Sequence, residues 1–256
     1  MLKFKTGLKI WSTNSDMISE AQGVYDDGHF DYIELYVVPG TYALTIKKWS
    51  SFKVEYIIHC PHSGCGFNLA DSKLREENRL KFKEAQDFAN TLKADYIIVH
   101  LGNNGYLNES IFQLKGIFDE RICIENKPIE GLNGEECIGC TPEDIKKVLK
   151  ETHAKSLAMD FGHAIYAANK LNVNSCDFIE NLLTLNPKIF HLSDGQINLT
   201  KDYHSNFGEG NFNLAKLISY IPKNAHVTLE IPQDFNNGLM DFKRNLQYIM
   251  QFIVTK

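Results

Sequence analysis

The segment DYIIVHLG, residues 95–102, shows the pattern that decides the fold: an apolar run, a histidine at its end and then a polar loop. A run of this kind is typical of a strand buried in a parallel sheet. Eight short runs rich in β-branched or aromatic residues are found in all, and a polar loop and then a helix-like segment follow each of them. The runs are LKIWS (8–12), DYIELYVV (31–38), EYIIHCP (55–61), DYIIVHLG (95–102), RICIENKP (121–128), SLAMDFGH (156–163), KIFHLSDG (188–195) and HVTLEIP (226–232).

Two of the intervening segments carry clear helical signals. Residues 72–93 place apolar side chains at a spacing near 3.6 residues, and residues 141–151 begin with a threonine cap, a proline and two acidic residues. Eight alternations of apolar strands and helices predict parallel pairing, and closure into a barrel is the simplest arrangement. We therefore predict the α/β class and a single (β/α)8 TIM barrel over residues 1–256. A doubly wound sheet is disfavoured because no glycine-rich phosphate loop follows the first run.

Length and composition agree with this prediction. The 256 residues match the roughly 250 that one such barrel needs. No stretch approaches the ~18 apolar residues that cross a bilayer, and the basic start MLKFKTGLKIW lacks the apolar run of a secretory signal. We expect a cytoplasmic protein without membrane contacts. The net charge of −5 disfavours a nucleic-acid-binding protein, although a local basic patch would fit inside an acidic total.

The cysteines indicate reduced thiols. Six are scattered at uneven spacings, which disfavours a disulfide framework in a chain with no secretory signal. Cys137 and Cys140 form a CxxC motif, but no second pair lies nearby. A lone structural or redox role for this motif stays open, and a zinc ribbon is disfavoured.

Polar residues are concentrated where the predicted strands end. In an α/β barrel the chemistry lies at these carboxyl ends and in the loops that follow them. So many carboxylates and imidazoles at one barrel mouth would repel or stay unsatisfied unless cations held them together. Mixed ligands of these types suit Zn²⁺ or Mn²⁺, and bridging carboxylates suit a multinuclear site. The residues are His59, His100, Glu125, Asp160, His163, His191, His204 and Glu230.

Read in order, the motifs IHCP, IVHLG, CIENKP, MDFGHA, FHLSD, DYHSNFGEGN and TLEIP resemble the xylose-isomerase-like barrels, and among them the AP endonucleases of family 2, the endonuclease IV type. The resemblance runs from about residue 55 to residue 232. It implies nine ligands for three zinc ions. The implied sets are His59, His100 and Glu125 for the first ion; Glu125, Asp160, His191 and Glu230 for the second; and His163, Asp202 and His204 for the third.

This resemblance implies a phosphoester hydrolase that acts in DNA repair on abasic DNA. A hydroxide between two cations would be the nucleophile, and a third cation would stabilise the departing oxygen. Glu125 would set the metal spacing, and removal of Glu125 or Glu230 is expected to abolish turnover. The loop DYHSNFGEGNF, residues 202–212, would carry two of the ligands of the third ion.

The DNA-gripping segments depart from the family pattern. The first strand reads GLKIWSTNSD where the repair enzymes have a histidine motif. The loops after the second and third strands, YVVPGTY (36–42) and HSGCGFN (62–68), lack the arginine and the bulky wedge that the repair enzymes insert into duplex DNA. A smaller phosphoester, or a nucleic acid held differently, therefore stays open as the substrate.

A second function from the same superfamily fits part of the pattern. Sugar isomerases and epimerases of this fold use one divalent metal held by Glu, Asp, His and Glu, a tetrad that Glu125, Asp160, His191 and Glu230 also satisfy. Glu125 and Glu230 would then move a proton on a small sugar or sugar phosphate. This interpretation leaves four candidate ligands without a role, namely His59, His100, Asp202 and His204. A non-catalytic metal-binding module is a third alternative.

Several further residues have expected roles at the mouth. Glu34, in DYIELY, is either a mouth residue of the kind that isomerases carry or a salt-bridge partner of a rim lysine. Asp194 and Asn126 are expected to orient neighbouring ligands. Three aromatic residues at strand ends are candidates for the pocket wall: Trp11, Tyr36 and Phe67.

Overall fold

The computed structural model describes residues 3–252. Eight parallel strands pair in sequence order and close into a barrel, because β1 also pairs with β8. The predicted α/β TIM barrel is therefore confirmed. The strands are β1 (Lys5–Trp11), β2 (Tyr32–Tyr36), β3 (Glu55–His59), β4 (Ile97–Val99), β5 (Ile122–Glu125), β6 (Ser156–Asp160), β7 (Ile189–Leu192) and β8 (His226–Leu229).

Helices connect the strands on the outside of the barrel. They are α1 (Ile18–Asp26), α2 (Tyr42–Trp49), α3 (Arg75–Leu92), α4 (Leu107–Gly116), α5 (Pro142–Glu151), α6 (Phe161–Leu171), α7 (Ser175–Leu183), α8 (Leu214–Tyr220) and α9 (Met240–Met250). Within residues 3–252, no helix combines the length and the apolar character that a membrane span needs.

Local sequence explains where two of these helices begin. Thr141 caps α5 in a reciprocal capping box with Asp144, and Pro142 takes the first helical position, as predicted. The segment predicted as one helix over 72–93 instead starts with a 3-10 turn, Ser72–Leu74, before α3. Asp71 caps that turn through its side chain, which delays the regular helix by one turn.

The barrel interior has an apolar layer and, next to it, a polar layer. Six buried side chains from six successive strands pack together inside the barrel, separately from the main core between strands and helices; they are Tyr32, Ile57, Ile98, Cys123, Ala158 and Ile189. On β1, Gly7 leaves room for Tyr32, since a Cβ at Gly7 would lie 2.3 Å from its ring. The tyrosine ring therefore fills the space that a β1 side chain would otherwise occupy.

Two residues further along the chain, the interior position is polar at all eight strands. Six of these residues lie on the strand itself, whereas His100 and Glu230 directly follow the last residue of β4 and β8. Side chains alternate between the two faces of a strand with a period of two, so these positions point into the barrel again. We call them the mouth layer, because they lie at the carboxyl ends of the strands. The mouth layer consists of Lys9, Glu34, His59, His100, Glu125, Asp160, His191 and Glu230.

Candidate metal centre

The first group of potential ligands joins strands β3, β4 and β5. His59 Nε2 lies 3.1 Å and His100 Nε2 lies 2.9 Å from the same carboxylate atom, Glu125 Oε2. The other ring nitrogen of His59, Nδ1, lies 2.7 Å from the carbonyl oxygen of Cys60 and must donate to it. This contact fixes the tautomer and leaves His59 Nε2 facing Glu125. The three predicted ligands of the first ion are thus brought together.

The second group joins strands β5 to β8. His191 Nδ1 lies 2.7 Å from Glu230 Oε2, 3.6 Å from Glu125 Oε2 and 4.0 Å from Asp160 Oδ2. The ligand atoms of these four residues, Glu125 and Asp160 included, lie within 4.8 Å of one another, which is close enough to bind one ion. Glu125 belongs to both groups, so its carboxylate lies where a ligand could bridge two cations.

The third group combines α6 with the loop after β7. Asp160, His163 and His204 offer ligand atoms close enough to share one cation. Asp202 lies beside them, with Oδ2 at 2.8 Å from His204 Nε2 and 3.1 Å from His163 Nε2. The structure therefore brings together the three residues that the resemblance assigned to the third ion, and it adds Asp160 to the same group.

The loop 202–212 is held by one carboxylate. Asp194 Oδ2 accepts hydrogen bonds from the amides of Gly208 and Gly210 at 2.9 and 3.2 Å, and Oδ1 accepts from the amide of Phe212 at 3.1 Å. A Cβ at Gly210 would lie 2.3 Å from Asp194 Oδ1, so a glycine is needed for this close approach. Asp194 thus shapes the loop that carries Asp202 and His204.

Asn126 holds the backbone beneath two candidate ligands. Its side chain donates to the carbonyl of Asp160 and accepts from the amide of Asp160, both at 2.9 Å. The carbonyl of Asn126 accepts from His163 Nδ1 at 2.9 Å. Both contacts give Asn126 the orienting position that the sequence predicted for it.

The buried polar atoms of these groups test whether cations would fit. Buried polar groups are normally hydrogen-bonded, and each one left unpaired is costly. Among the described residues, several ligand atoms of the three groups make no hydrogen bond: Glu125 Oε1, Asp160 Oδ2, His191 Nδ1, Asp202 Oδ2, His204 Nε2 and Glu230 Oε2. They lie close to one another without the geometry of hydrogen bonds. Oxygen and imidazole atoms arranged in this way fit divalent cations of the zinc or manganese type.

Ionisation at the mouth layer depends on the balance of burial and charge. Burial disfavours ionised Glu125, but the imidazoles of His100 and His191 outweigh this effect and hold the pKa of its carboxyl well below the usual range. Burial raises the pKa of Asp160 to about 6, and the carboxylate of Glu230 adds to the rise. A cation at this position would favour ionised Asp160.

Glu34 and Lys9 form an ion pair inside the mouth layer. Lys9 Nζ lies 3.1 Å from Glu34 Oε1 and 2.6 Å from Glu230 Oε1. Glu34 Oε2 accepts from His191 Nε2 at 2.9 Å and from Thr228 Oγ1 at 2.6 Å. Burial opposes the ionisation of Glu34, but His191 and Lys9 lower the pKa of its carboxyl to about 2. Both alternatives for Glu34 thus hold in part, because it lies at the mouth and also pairs with a lysine.

Sequence reasoning missed Lys9 as a residue of the site. The signal was present, because Lys9 interrupts the apolar run LKIWS at an interior position of β1. Its charge is largely enclosed, since 14% of the side chain is exposed. A lysine buried to this extent needs anionic partners, and Glu34 and Glu230 supply them.

The mouth layer opens into a cavity of about 650 Å³. Trp11 and Tyr36 line it, as expected, but Phe67 is fully buried and packs in the core instead. Phe67 lies in the segment after β3 that also contains His62, Ser63 and Gly64, and these three residues face the cavity in its place. Of the described residues that line the cavity, the lysines are Lys9 and Lys127, and none is an arginine.

The CxxC motif lies beside the site but uses its sulfurs differently. All six cysteines are free thiols, in agreement with the expectation from their spacing. Cys140 is buried, and the carbonyl oxygens of Pro128 and Cys137 each lie 3.1 Å from its Sγ, so they share its one S–H donor. Cys137 is half-buried and lines the cavity. The contact between Cys140 and Pro128 thus joins the end and the start of the loop between β5 and α5.

The chain matches a known protein family. A family model described as xylose isomerase-like TIM barrel matches residues 28–250, so the chain belongs to that family. An uncharacterised protein of Methanocaldococcus jannaschii is 24% identical over 200 residues, which cover 72% of this chain and 65% of the relative. The chain thus spans less than two thirds of that relative's length.

Solved structures share the fold over almost the full chain. A D-tagatose 3-epimerase-like protein superimposes with a TM-score of 0.69 and 21% identity, covering 98% of this chain and 100% of the other. Endonuclease IV from Thermus thermophilus gives a TM-score of 0.69 and 16% identity, covering 96% of this chain and 99% of the other. At these identities the similarity shows a common fold, which the two kinds of protein share with this chain.

Proposed function

We propose that this protein is a metal-dependent phosphoester hydrolase whose reaction takes place at the mouth layer. The observation that carries this proposal is the number of ligand groups. Glu125 belongs to the first and second groups and Asp160 to the second and third, and together the three groups offer more ligand atoms than one ion can use. Zinc is the proposed metal, with up to three ions, and manganese is the alternative. The endonuclease IV structure with the same fold supports this direction.

Glu125 and Glu230 are the residues on which the proposed chemistry depends most. Divalent ions held by the groups would activate water and neutralise charge on a phosphoester. Glu125 fixes the distance between the first two groups, because one carboxylate contacts histidines on both sides. Glu230 contributes Oε2 to the second group while Lys9 holds its other oxygen, Oε1, in place.

The cavity supports a small phosphoester more than duplex DNA. Its wall includes the apolar side chains of Trp11 and Leu132, each about half exposed, and it contains no arginine among its described residues. A volume of about 650 Å³ is in the range of small-molecule pockets. Abasic DNA is the alternative substrate. It would be held by contacts other than the arginine and the wedge of the repair enzymes.

The test is cleavage by zinc-loaded protein of three probes: bis-p-nitrophenyl phosphate, a nucleoside phosphodiester and an abasic-site duplex. The proposal predicts metal-dependent release of product from at least one of them. Abolition by chelator and restoration by zinc would support it. Absence of cleavage of all three probes by protein loaded with metal would overturn it.

The second candidate, a sugar isomerase or epimerase, is favoured by one specific observation. Glu125, Asp160, His191 and Glu230 form a complete four-ligand group for a single ion, with two glutamates available as acid and base. The D-tagatose 3-epimerase-like structure has the same fold. Incubation with ketohexoses or their phosphates in D2O distinguishes the two functions. Deuterium on the carbon beside the carbonyl would favour the isomerase.

A further inference from the structure

One side of the cavity is largely apolar and carries an exposed aromatic ring. Trp11 ends β1 and is 49% exposed, although folded proteins bury most of the surface of their tryptophans. The other residues of this side come from the segment after β8, the strand that pairs with β1. We call this side the aromatic wall, and its residues are Trp11, Ile231, Pro232, Gln233 and Phe235.

Contacts within the protein hold the aromatic wall in place. The rings of Trp11 and Phe235 meet edge to face, with their centroids 6.0 Å apart and their planes at 63°. Gln233 Nε2 donates to the backbone carbonyl of Lys9 at 2.9 Å, which ties the segment after β8 to β1. An exposed apolar surface that is fixed in this way inside a cleft fits a flat hydrophobic ring.

The aromatic wall offers few groups for hydrogen bonds. Among its five residues, side-chain donors and acceptors are found at Gln233 and at the indole nitrogen of Trp11. These are too few for the hydroxyl groups of a free sugar, each of which needs a partner when it leaves water. The wall therefore favours an aromatic ring over a sugar ring.

The aromatic wall lies directly above the charged mouth layer. Trp11 is two residues beyond Lys9 on β1, so both residues are on the interior face, and Trp11 lies about 7 Å further along the strand. Lys9 Nζ is 2.6 Å from Glu230 Oε1, which belongs to the second ligand group. A substrate with its phosphate at the mouth layer would therefore reach Trp11 with a ring that is attached through a short spacer.

We propose that the aromatic wall is a subsite for a nucleobase and that the substrate class is a nucleoside phosphoester. In such a molecule a five-carbon sugar separates a flat base from a phosphate, which matches the order of the wall and the mouth layer. The base stacks on the indole of Trp11. This inference rests on the proposed function for the position of the phosphate, whereas stacking on Trp11 does not require that the phosphoester is cleaved.

The experiment compares two ligands that cannot be hydrolysed. They are the phosphonate analogues of adenosine monophosphate and of the ribose phosphate that it contains, so only the first has a base. Isothermal titration calorimetry of zinc-loaded protein measures the Kd of each. The variants are Trp11→Ala, which removes the ring, and Trp11→Phe, which keeps one. Phe118→Ala is the matched control, because Phe118 is exposed before β5 at the other end of the barrel.

We expect the wild type to bind the adenosine analogue about 5- to 150-fold more tightly than the ribose analogue, which is the usual effect of stacking one base on an aromatic side chain. Trp11→Ala should bind both analogues with similar Kd, whereas Trp11→Phe and Phe118→Ala should keep most of the preference. Equal Kd values in the wild type, or a preference that Trp11→Ala retains, would overturn the inference. Circular dichroism checks that each variant is folded.

Tryptophan fluorescence gives a second measurement that a merely structural role of Trp11 would not change. The chain has two tryptophans, and Trp49 is fully buried, so quenching by the adenosine analogue reports on Trp11. Trp11→Phe should bind this analogue without quenching, and quenching that persists in this variant would overturn the inference. Binding that depends on Trp11 without cleavage of any phosphoester would contradict the proposed function alone.

Discussion

The two ends of the barrel both contain buried or half-buried histidine–carboxylate pairs, yet they differ in how these pairs are completed. At the amino end, Glu55 Oε2 accepts from Lys5 at 2.6 Å and Glu55 Oε1 contacts His226 Nε2 at 2.5 Å, so each oxygen has a partner. At the carboxyl end, His191 Nδ1 and Glu230 Oε2 lie 2.7 Å apart and neither makes a hydrogen bond. The pair at the amino end is complete, whereas the pair at the carboxyl end leaves ligand atoms that could hold a cation.

The difference follows from burial. Glu55 is about one third exposed, so water screens its charge and the pair costs little to form. Glu125, Asp160 and His191 are fully buried, where uncompensated charge is expensive. Divalent cations, as the proposed function has them, would compensate this cluster and match its ligand atoms.

The largest expected effect comes from the same substitution made at each end. Glu125→Gln removes the carboxylate that two ligand groups share, so phosphoester turnover should fall to background. Glu55→Gln is the matched control and should keep wild-type turnover, because Glu55 lies at the other end of the barrel. Assays of both zinc-loaded variants on one phosphodiester decide the point. Turnover retained by Glu125→Gln with less than one bound metal ion per chain would contradict the account.

A smaller effect is expected where a residue only orients a ligand. Glu34 accepts from His191 Nε2 and so directs Nδ1 toward the second group. Glu34→Gln weakens this orientation and removes a charge beside Lys9. Loss of such an orienting partner typically costs about 10- to 100-fold in metal affinity. Competition with a fluorescent chelator measures the zinc affinity of wild type and variant. An unchanged zinc affinity would show that His191 is oriented by other contacts.

The metal-free protein should become more stable when one ligand is neutralised. Burial raises the pKa of Asp160 to about 6, above the value of 3.8 for an unperturbed aspartate. The folded state therefore loses stability as the pH rises through this interval, and the loss is complete at neutral pH. Asp160→Asn removes this cost and keeps an acceptor for the amide of His163.

Urea unfolding of chelator-treated protein measures this gain. The free energy of unfolding should rise by about 1 to 3 kcal/mol at pH 7, and by less at about pH 5. The same variant should bind less zinc. A metal-free Asp160→Asn protein that is less stable than the wild type would indicate a structural role for this carboxylate.

The smallest effect is expected at the amino end and concerns pH. The hydrogen bond with His226 is the main cause that lowers the pKa of Glu55 to about 2, with Lys5 contributing. This stabilisation is complete above an unfolded-state pKa near 4.5 and is lost as the pH falls toward 2. Since Glu55 is partly exposed, Glu55→Gln should cost less than about 1 kcal/mol at pH 7.

Urea unfolding of wild type and Glu55→Gln at pH 7 and at about pH 3 checks this sign. The difference between them should shrink at the lower pH. A difference that grows at low pH would mean that Glu55 is not ionised in the folded state.

The sequence predicted most of the fold and most of the mouth layer for one reason. Strand side chains alternate with a period of two, so a histidine or carboxylate at the end of an apolar run had to lie near the barrel interior. His59, Glu125 and His191 were found in this way. The barrel class followed from the eight repeated strands.

Other features depended on contacts between distant segments. In the sequence alone, the charge of Lys9 suggests an exposed side chain. The structure shows that Glu34 and Glu230 lie beside its ammonium group. The role of Asp194 in holding the loop 202–212 could be seen only from the positions of three backbone amides.

Two helix boundaries depended instead on local caps, which hydrophobic periodicity does not show. They are the start of α7, the second helix between β6 and β7, and the delayed start of α3.

The most direct test of the central claim is the location of zinc in crystals. Metal-free crystals soaked in zinc chloride and measured on both sides of the zinc absorption edge show each bound ion as an anomalous difference peak. The account predicts peaks between His59, His100 and Glu125 and between Glu125, His191 and Glu230, with none beside Glu55. Zinc bound only on the outer surface, with an empty mouth layer, would contradict it.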